Sequence, residues 1–209
     1  MKADGVIAFG EALIDRIGPP GGDPSCDLPV RDCFGGAPAN VACALGRLGA
    51  KVSFLSSLGN DAFGKDFKKI LLQRGINIAG LQQDNIRPTR VVLVRRDSLG
   101  ERFFEGFEGD KGLGFADQAI SREQIIENWP MIKEKAKWLV LGTIPLASEI
   151  STNAFLWCVE KAWHAGIKIV LDLNWRPTFW RNEASTLLEP SIDEKNQIIS
   201  IAKKASLLK

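Results

Sequence analysis

The sequence predicts an α/β protein, a parallel sheet core flanked by helices, with a small β-sheet lid. Three observations carry this. Strand-sized apolar runs alternate with helix-length amphipathic stretches from residues 6–9 to residues 168–172, as in a parallel sheet covered by helices. Residues 35–40, GGAPAN, open a small-residue helix straight after a glycine pair. Residues 16–34 and 89–107 break the alternation and read as extended chain inserted into the core.

Taken in order, residues 6–9 form a short apolar run ending in Gly10, a buried first strand, and GEALID at 10–15 follows it. Residues 16–34 hold four prolines and several glycines, which rules out a helix there. The pair Gly35–Gly36 lets backbone come close to a small ligand with no Cβ in the way, though by itself it is also an ordinary strand–helix turn. Pro38 presets φ for the first turn of a helix over 38–49, and Gly49 suits its C-terminal cap. Residues 52–58 are the next strand, and Asn60 or Asp61 caps a helix running to about Arg74, closed by Gly75. Residues 89–107 read as a hairpin turning at 97–100. A strand at 138–142, a helix at 149–165 ended by Gly166 and a strand at Lys168–Asp172 continue the alternation. Residues 191–204 are helical, with Ile192, Ile198, Ile199 and Ala202 able to share a face, and 207–208 begin one more strand.

Composition narrows the function classes. At 209 residues the chain forms one domain, with an apolar share of 45% and a charged share of 25% typical of a soluble protein. The net charge of +2, with no Lys/Arg block, gives no footprint for nucleic acid. Apolar runs such as VVLV and WLVLG are far too short for a bilayer. The N-terminus lacks the form of a signal peptide, so a cytoplasmic location is expected. Cys26, Cys33, Cys43 and Cys158 make no CxxC pair and His164 completes no metal site. The thiols are read as buried and reduced, with a Cys26–Cys33 disulfide as the alternative, and His164 as a surface or cap residue.

Two polar clusters follow predicted strands, where open α/β sheets bind their ligands. Asp15 is placed just past the first strand, able to accept two charge-strengthened hydrogen bonds; a solvated or turn-anchoring Asp is the alternative. Asn40 carries an amide that both donates and accepts. The second cluster is Asp172-Leu-Asn174-Trp-Arg176-Pro177. Its Arg176 guanidinium could bind phosphate oxygens as a planar fork, or pair with Asp172 to fix the loop.

With Gly10, Glu11 and Asp15, with Gly35, Gly36, Pro38, Asn40, Ala42, Gly49 and Gly59 in register, and with the DxNxRP segment reaching Trp180, the sequence resembles the ribokinase/PfkB family of carbohydrate kinases. The last segment is similar to that of fructokinases and ketodeoxygluconate kinases. The resemblance implies a ribokinase-like core and a lid over the sugar. It implies substrate contacts from Asp15, Gly35, Gly36, Asn40 and Phe107, with an ordinary hydrophobic lid contact as the alternative for Phe107, and phosphate-side roles for Asn174 and Arg176, with Arg176 offsetting phosphoryl charge. It implies ATP and Mg2+ as cofactors, a small-molecule sugar as substrate, foremost fructose, and a homodimer through the lid. Some relatives carry Tyr followed by Arg where this chain has Phe107–Glu108; the loss of a hydroxyl and a cation argues against an acidic or phosphorylated sugar.

Phosphoryl transfer also needs held nucleotide phosphates and a base for the acceptor hydroxyl. The family's D-x-x-G-A-G-D and N-x-x-E segments do not occur in these residues. The expectation is therefore an incomplete kinase domain from a truncated or split frame. It would carry the sugar-binding half, lack the C-terminal nucleotide-binding part and the general base, and be inactive alone. A non-catalytic sugar-binding or protein-interaction remnant is the alternative. A nicotinamide-dependent oxidoreductase ranks last, because no G-x-G-x-x-G follows the first strand.

Overall fold

The computed structural model describes residues 5–181 and 187–209. In chain order the strands and helices are β1 (Gly5–Phe9), β2 (Leu13–Pro20), β3 (Arg31–Gly35), α1 (Ala37–Arg47), β4 (Lys51–Gly59), α2 (Ala62–Gln73), β5 (Leu81–Asp84), β6 (Val91–Arg96), β7 (Arg102–Glu108), α3 (Arg122–Ile132), β8 (Ala136–Gly142), α4 (Glu149–His164), β9 (Lys168–Asp172), α5 (Pro177–Trp180), α6 (Ile192–Ala202) and β10 (Leu207–Leu208). They make a six-stranded sheet in the order β10-β9-β8-β1-β4-β5 and a four-stranded sheet in the order β3-β2-β6-β7. Every pairing in the larger sheet is parallel.

Two-residue alternation along β1 divides the core. Ile7 and Phe9 enter one apolar cluster with Phe155 and Cys158 of α4 and Trp129 of α3. Ala8 enters the other, with Ala39 and Ala42 of α1 and Phe67 and Leu71 of α2. Burying each of these large side chains contributes about 1.5–3 kcal/mol. In β4 all residues after Lys51 are buried, as a strand with helices on both faces must be. The small residues of α1 let it lie close on the sheet, and Asp61 caps α2 by accepting from the Gly64 N–H at 2.8 Å.

The smaller sheet is the lid that the two inserted stretches predict, with one correction. Its first strand begins at Leu13, so Asp15 stands inside a lid strand rather than in a loop past β1. Leu13, Ile14 and Ile17 are buried as this segment pairs with β3 on one side and β6 on the other, which draws it into the sheet. The second hairpin turns where predicted, with the Gly100 N–H donating to the Asp97 carbonyl at 3.1 Å. Leu13 and Val92 of the lid meet Ile144 and Phe179 of the core in a third apolar cluster.

Polar anchors fix the lid's second entry. Asp61 accepts from the Thr89 N–H at 2.7 Å and its hydroxyl at 2.9 Å, and that hydroxyl accepts from the Gly59 N–H at 3.0 Å. Next to it, buried Arg90 makes a bidentate pair with buried Asp117, both bonds 2.9 Å. The guanidinium lies 4.8, 4.4 and 4.9 Å from the ring centres of Phe107, Phe115 and Phe179, so cation–π attraction supports a charge removed from water.

Other expectations need adjustment. All four cysteines are free, but Cys158 alone among them is buried; Cys26 is exposed in a lid loop, Cys33 is half-buried in lid strand β3, and Cys43 is half-buried on α1 at the margin of the core. The predicted helix at 191–204 forms as α6, with Ser191 and Glu194 in a reciprocal capping box. Its face differs from the expected one: Ile201 is buried, with Ile198 and Ala202 packed nearby, while Ile192 and Ile199 are exposed. Strand β5 and helices α3 and α5 had no clear signal; α3 carries Pro130 in its last turns and a weakly amphipathic sequence. His164 is on the surface, 3.7 Å from Glu160. Among the described residues no helix is long and apolar enough to cross a membrane.

Candidate functional site

A cavity of about 590 Å³ lies between the lid and the C-terminal ends of β1, β8 and β9. The glycine pair shapes one side. A Cβ on Gly35 would stand 2.5 Å from Asp15 Oδ2, so the bare position makes room for that carboxylate. Gly36, with φ of 99°, turns the chain into α1, and a Cβ there would meet the Glu11 carbonyl at 2.4 Å. One turn on, the exposed Asn40 side chain faces the same space, its backbone N–H donating to the Gly36 carbonyl at 2.8 Å.

Asp15 and Asn40 thus share one cavity, together with Gly36, Asn174 and Arg176. Asp15 is half-buried and its carboxyl is raised above the ordinary aspartate range, chiefly by burial, with Arg102 acting in the opposite direction. The exposed Arg102, from β7, lines the cavity beside Phe103 and Phe104. Leu13 and Val92 add apolar wall. A concave site with apolar walls and a few converging polar groups suits a small ligand with both C–H faces and hydroxyls.

Asn174 and Arg176 reach the cavity from the loop after β9. Asn174 has φ of 33°, a left-handed conformation uncommon outside glycine. Such strain persists only where the surroundings over-determine it. Here the neighbouring Leu173 accepts from the Thr143 hydroxyl and donates its N–H to the Lys209 carbonyl. The Arg176 guanidinium is exposed and donates to the Trp175 carbonyl at 3.2 Å. The alternative of an Asp172–Arg176 pair is corrected: Asp172 pairs with Lys209 at 2.8 Å, leaving the arginine to face the cavity.

Two candidates are set back from this surface. Gly35 acts on it through Asp15. Phe107 packs against Phe104, Phe115 and Phe179 at centroid distances of 5.0, 5.7 and 5.0 Å, while Phe103, Phe104 and Phe179 line the cavity. A bulge between β6 and β7 interrupts the two-residue alternation, and bulges re-aim side chains in this way. Sequence reasoning gave no role to Arg102, Phe103 or Phe104, since a bulge has no fixed residue pattern. Glu11 was read only as part of the GEALID match, yet it is 2% exposed and lines the cavity. Its Oε1 accepts from the Ala37 N–H at 2.8 Å. Burial pushes its carboxyl up to about 7, against the pull of that hydrogen bond.

A parallel sheet with a small strand-built sheet standing over a polar, partly apolar-walled cavity defines a lidded α/β protein with room for a small molecule. The comparisons narrow the class. Residues 3–200 match the model of the pfkB family of carbohydrate kinases, and the chain belongs to that family. It is 34% identical over 206 residues to a probable fructokinase-4 of Arabidopsis thaliana, covering 98% of this chain and 58% of that protein. It is 33% identical over 179 residues to a fructokinase of Vibrio alginolyticus, covering 86% and 53%. The chain therefore spans little more than half the length of these relatives. Its fold superposes on the crystal structure of a Xylella fastidiosa fructokinase with a TM-score of 0.80 at 26% identity, covering 98% of this chain and 61% of the other. The Xylella fastidiosa enzyme with bound ATP gives 0.79 at 25% identity, covering 99% and 60%. Ribokinase-like architecture and carbohydrate kinase membership are thus both established.

Proposed function

We propose that this chain binds a ketose, foremost fructose, in the cavity under the lid and presents a primary hydroxyl for phosphorylation by ATP. The observation that carries the reading is convergence: Asp15 of β2, Gly36 and Asn40 at the start of α1, and Asn174 and Arg176 after β9 meet on one cavity. Asp15 accepts from two sugar hydroxyls, Asn40 donates and accepts, and Gly36 offers backbone at close range. Phe103 and Phe104 cover the C–H faces of the sugar. Relatives named as fructokinases support the choice of sugar.

On the phosphate side, Arg176 fits the terminal phosphoryl oxygens and Asn174 their orientation. ATP supplies the transferred group; this chain's part is to hold and orient the acceptor and to offset charge at Arg176. Among the described residues no three His, Cys, Asp or Glu side chains converge to hold a metal ion, and magnesium held mainly by nucleotide phosphates needs no such cluster. No general base is assigned either, so phosphorylation by these 209 residues alone is not expected. A non-catalytic sugar-binding or protein-interaction module is the second reading, favoured by the lack of a D-x-x-G-A-G-D run in these residues. The outer strands β3 and β7 offer the lid edges for a homodimer.

Calorimetric titration with D-fructose, D-glucose, D-ribose and 2-keto-3-deoxygluconate tests the proposal, with a coupled assay in Mg2+ and ATP alongside. D-Fructose should bind, and Asp15→Ala should weaken it by about 100-fold, the loss of two hydrogen bonds to a charged acceptor. Binding unchanged by Asp15→Ala would refute the site. Turnover in the coupled assay would remove the second reading and require a base from these residues.

A further inference from the structure

Glu11 is the buried titratable group that the proposed binding scheme leaves without a task. It stands at the C-terminal end of β1, under the first turn of α1, and is 2% exposed. One carboxyl oxygen is accounted for by the Ala37 N–H at 2.8 Å. The other, Oε2, has no hydrogen-bond partner among the described residues. Oε2 is itself buried near Gly142, where a Cβ would stand 3.7 Å away, and Glu11 lines the same cavity as Asp15 and Asn40. A buried polar atom without a partner carries a desolvation cost that only a hydrogen bond removes.

The charge environment decides what kind of partner fits. Asp117 and Arg90 face Glu11 from behind, and they already satisfy each other through two bonds. Across the cavity stand Asp15, Arg102 and Arg176. An ionised Glu11 would be an acceptor with the charge of Asp117 opposing it; a neutral one has a proton to give. Burial already favours the neutral form, at about 7. A ligand that fills the cavity excludes more water and favours it further.

We propose that Glu11 is a ligand-binding residue of the cavity: as a neutral carboxylic acid it donates its Oε2 proton to a hydroxyl oxygen of the polyol held by Asp15 and Asn40. The proton comes from solvent, so binding takes up a proton whenever Glu11 is ionised beforehand. This rests on the sugar reading above and adds a donor to a site otherwise led by an acceptor. Asp15 would give a pH dependence of opposite sign, since it must be ionised to accept.

The test is calorimetric titration of the full chain with D-fructose from about pH 6 to about pH 8. If only the neutral form binds, affinity falls about tenfold over that range, following the neutral fraction of a group near 7. Glu11→Gln, which keeps a donor but does not titrate, should have a flat profile whatever its absolute affinity. Wild-type titrations at about pH 7.5 in two buffers of different ionisation enthalpy should report about three quarters of a proton taken up per sugar, a readout that needs no variant to fold. Parallel profiles for wild type and Glu11→Gln, affinity rising with pH, or no proton uptake would each overturn the role of Glu11 and leave the sugar site standing. Absence of D-fructose binding at every pH would instead bring down the fructose reading, and this inference with it.

Discussion

Substituting Gly35 by Ala isolates the geometry of the site from its chemistry. The new Cβ would lie 2.5 Å from Asp15 Oδ2 and 2.8 Å from Leu13 Cδ1. Ordinary contact is about 3.5 Å or more, so the carboxylate must retreat by about 1 Å. The backbone is not the obstacle, because Gly35 lacks the left-handed φ that Gly36 has. Displacing an acceptor by that amount removes or bends its bonds to ligand hydroxyls, each worth about 1.5–3 kcal/mol to a charged group. The expected loss in D-fructose affinity is about 10- to 100-fold, read by titration calorimetry. Thermal unfolding should move little in comparison, since Asp15 is half-buried and can shift into the cavity. Unchanged affinity in a folded Gly35→Ala protein would refute the idea that Asp15 holds the sugar from its present position.

Two further outcomes concern stability. Arg90→Met should destabilise the protein by about 3–5 kcal/mol, because it leaves Asp117 buried and unpaired; urea unfolding measures this, and Arg90→Met with Asp117→Leu should recover much of the loss. Glu11 gives a pH signature with a defined sign. Its folded-state value of about 7 exceeds the ordinary 4.5, so the native state keeps a proton that the unfolded chain releases. That contribution is fully present below about pH 4.5 and is lost as pH rises through 7, by about 3 kcal/mol. Urea midpoints for wild type should fall relative to Glu11→Gln across that window, and parallel midpoints would contradict the raised value.

Much of the fold is legible because its signals are local. A run such as Val6–Phe9 can only be buried strand, GG-x-P fixes the entry to α1, and Asp61 or Ser191 mark helix starts through side chains that reach three residues ahead. Asp15 and Asn40 were singled out through the family resemblance of the GEALID and GGAPAN segments, and the structure brings both to one cavity. The lid boundary at Leu13 was not, since pairing with β3 and β6 is decided by strands distant in sequence. The setting of Phe107 was not legible either: a bulged residue between Phe104 and Gly106 brings Phe104 and Phe107 to one face, where Phe104 reaches the cavity and Phe107 packs behind it.

The family came from the resemblance of the GEALID, GGAPAN and DxNxRP segments to known motifs. The parallel core and the inserted lid strands follow from short-range rules: periodicity and turn chemistry. Only the tertiary structure decided that Asp15 belongs to the lid, that Arg176 is released from Asp172, and that Glu11 is enclosed with one oxygen unmatched. Burial and charge pairing depend on which distant segments meet, and that is set by how strands and helices stack in space, not by any neighbour along the chain.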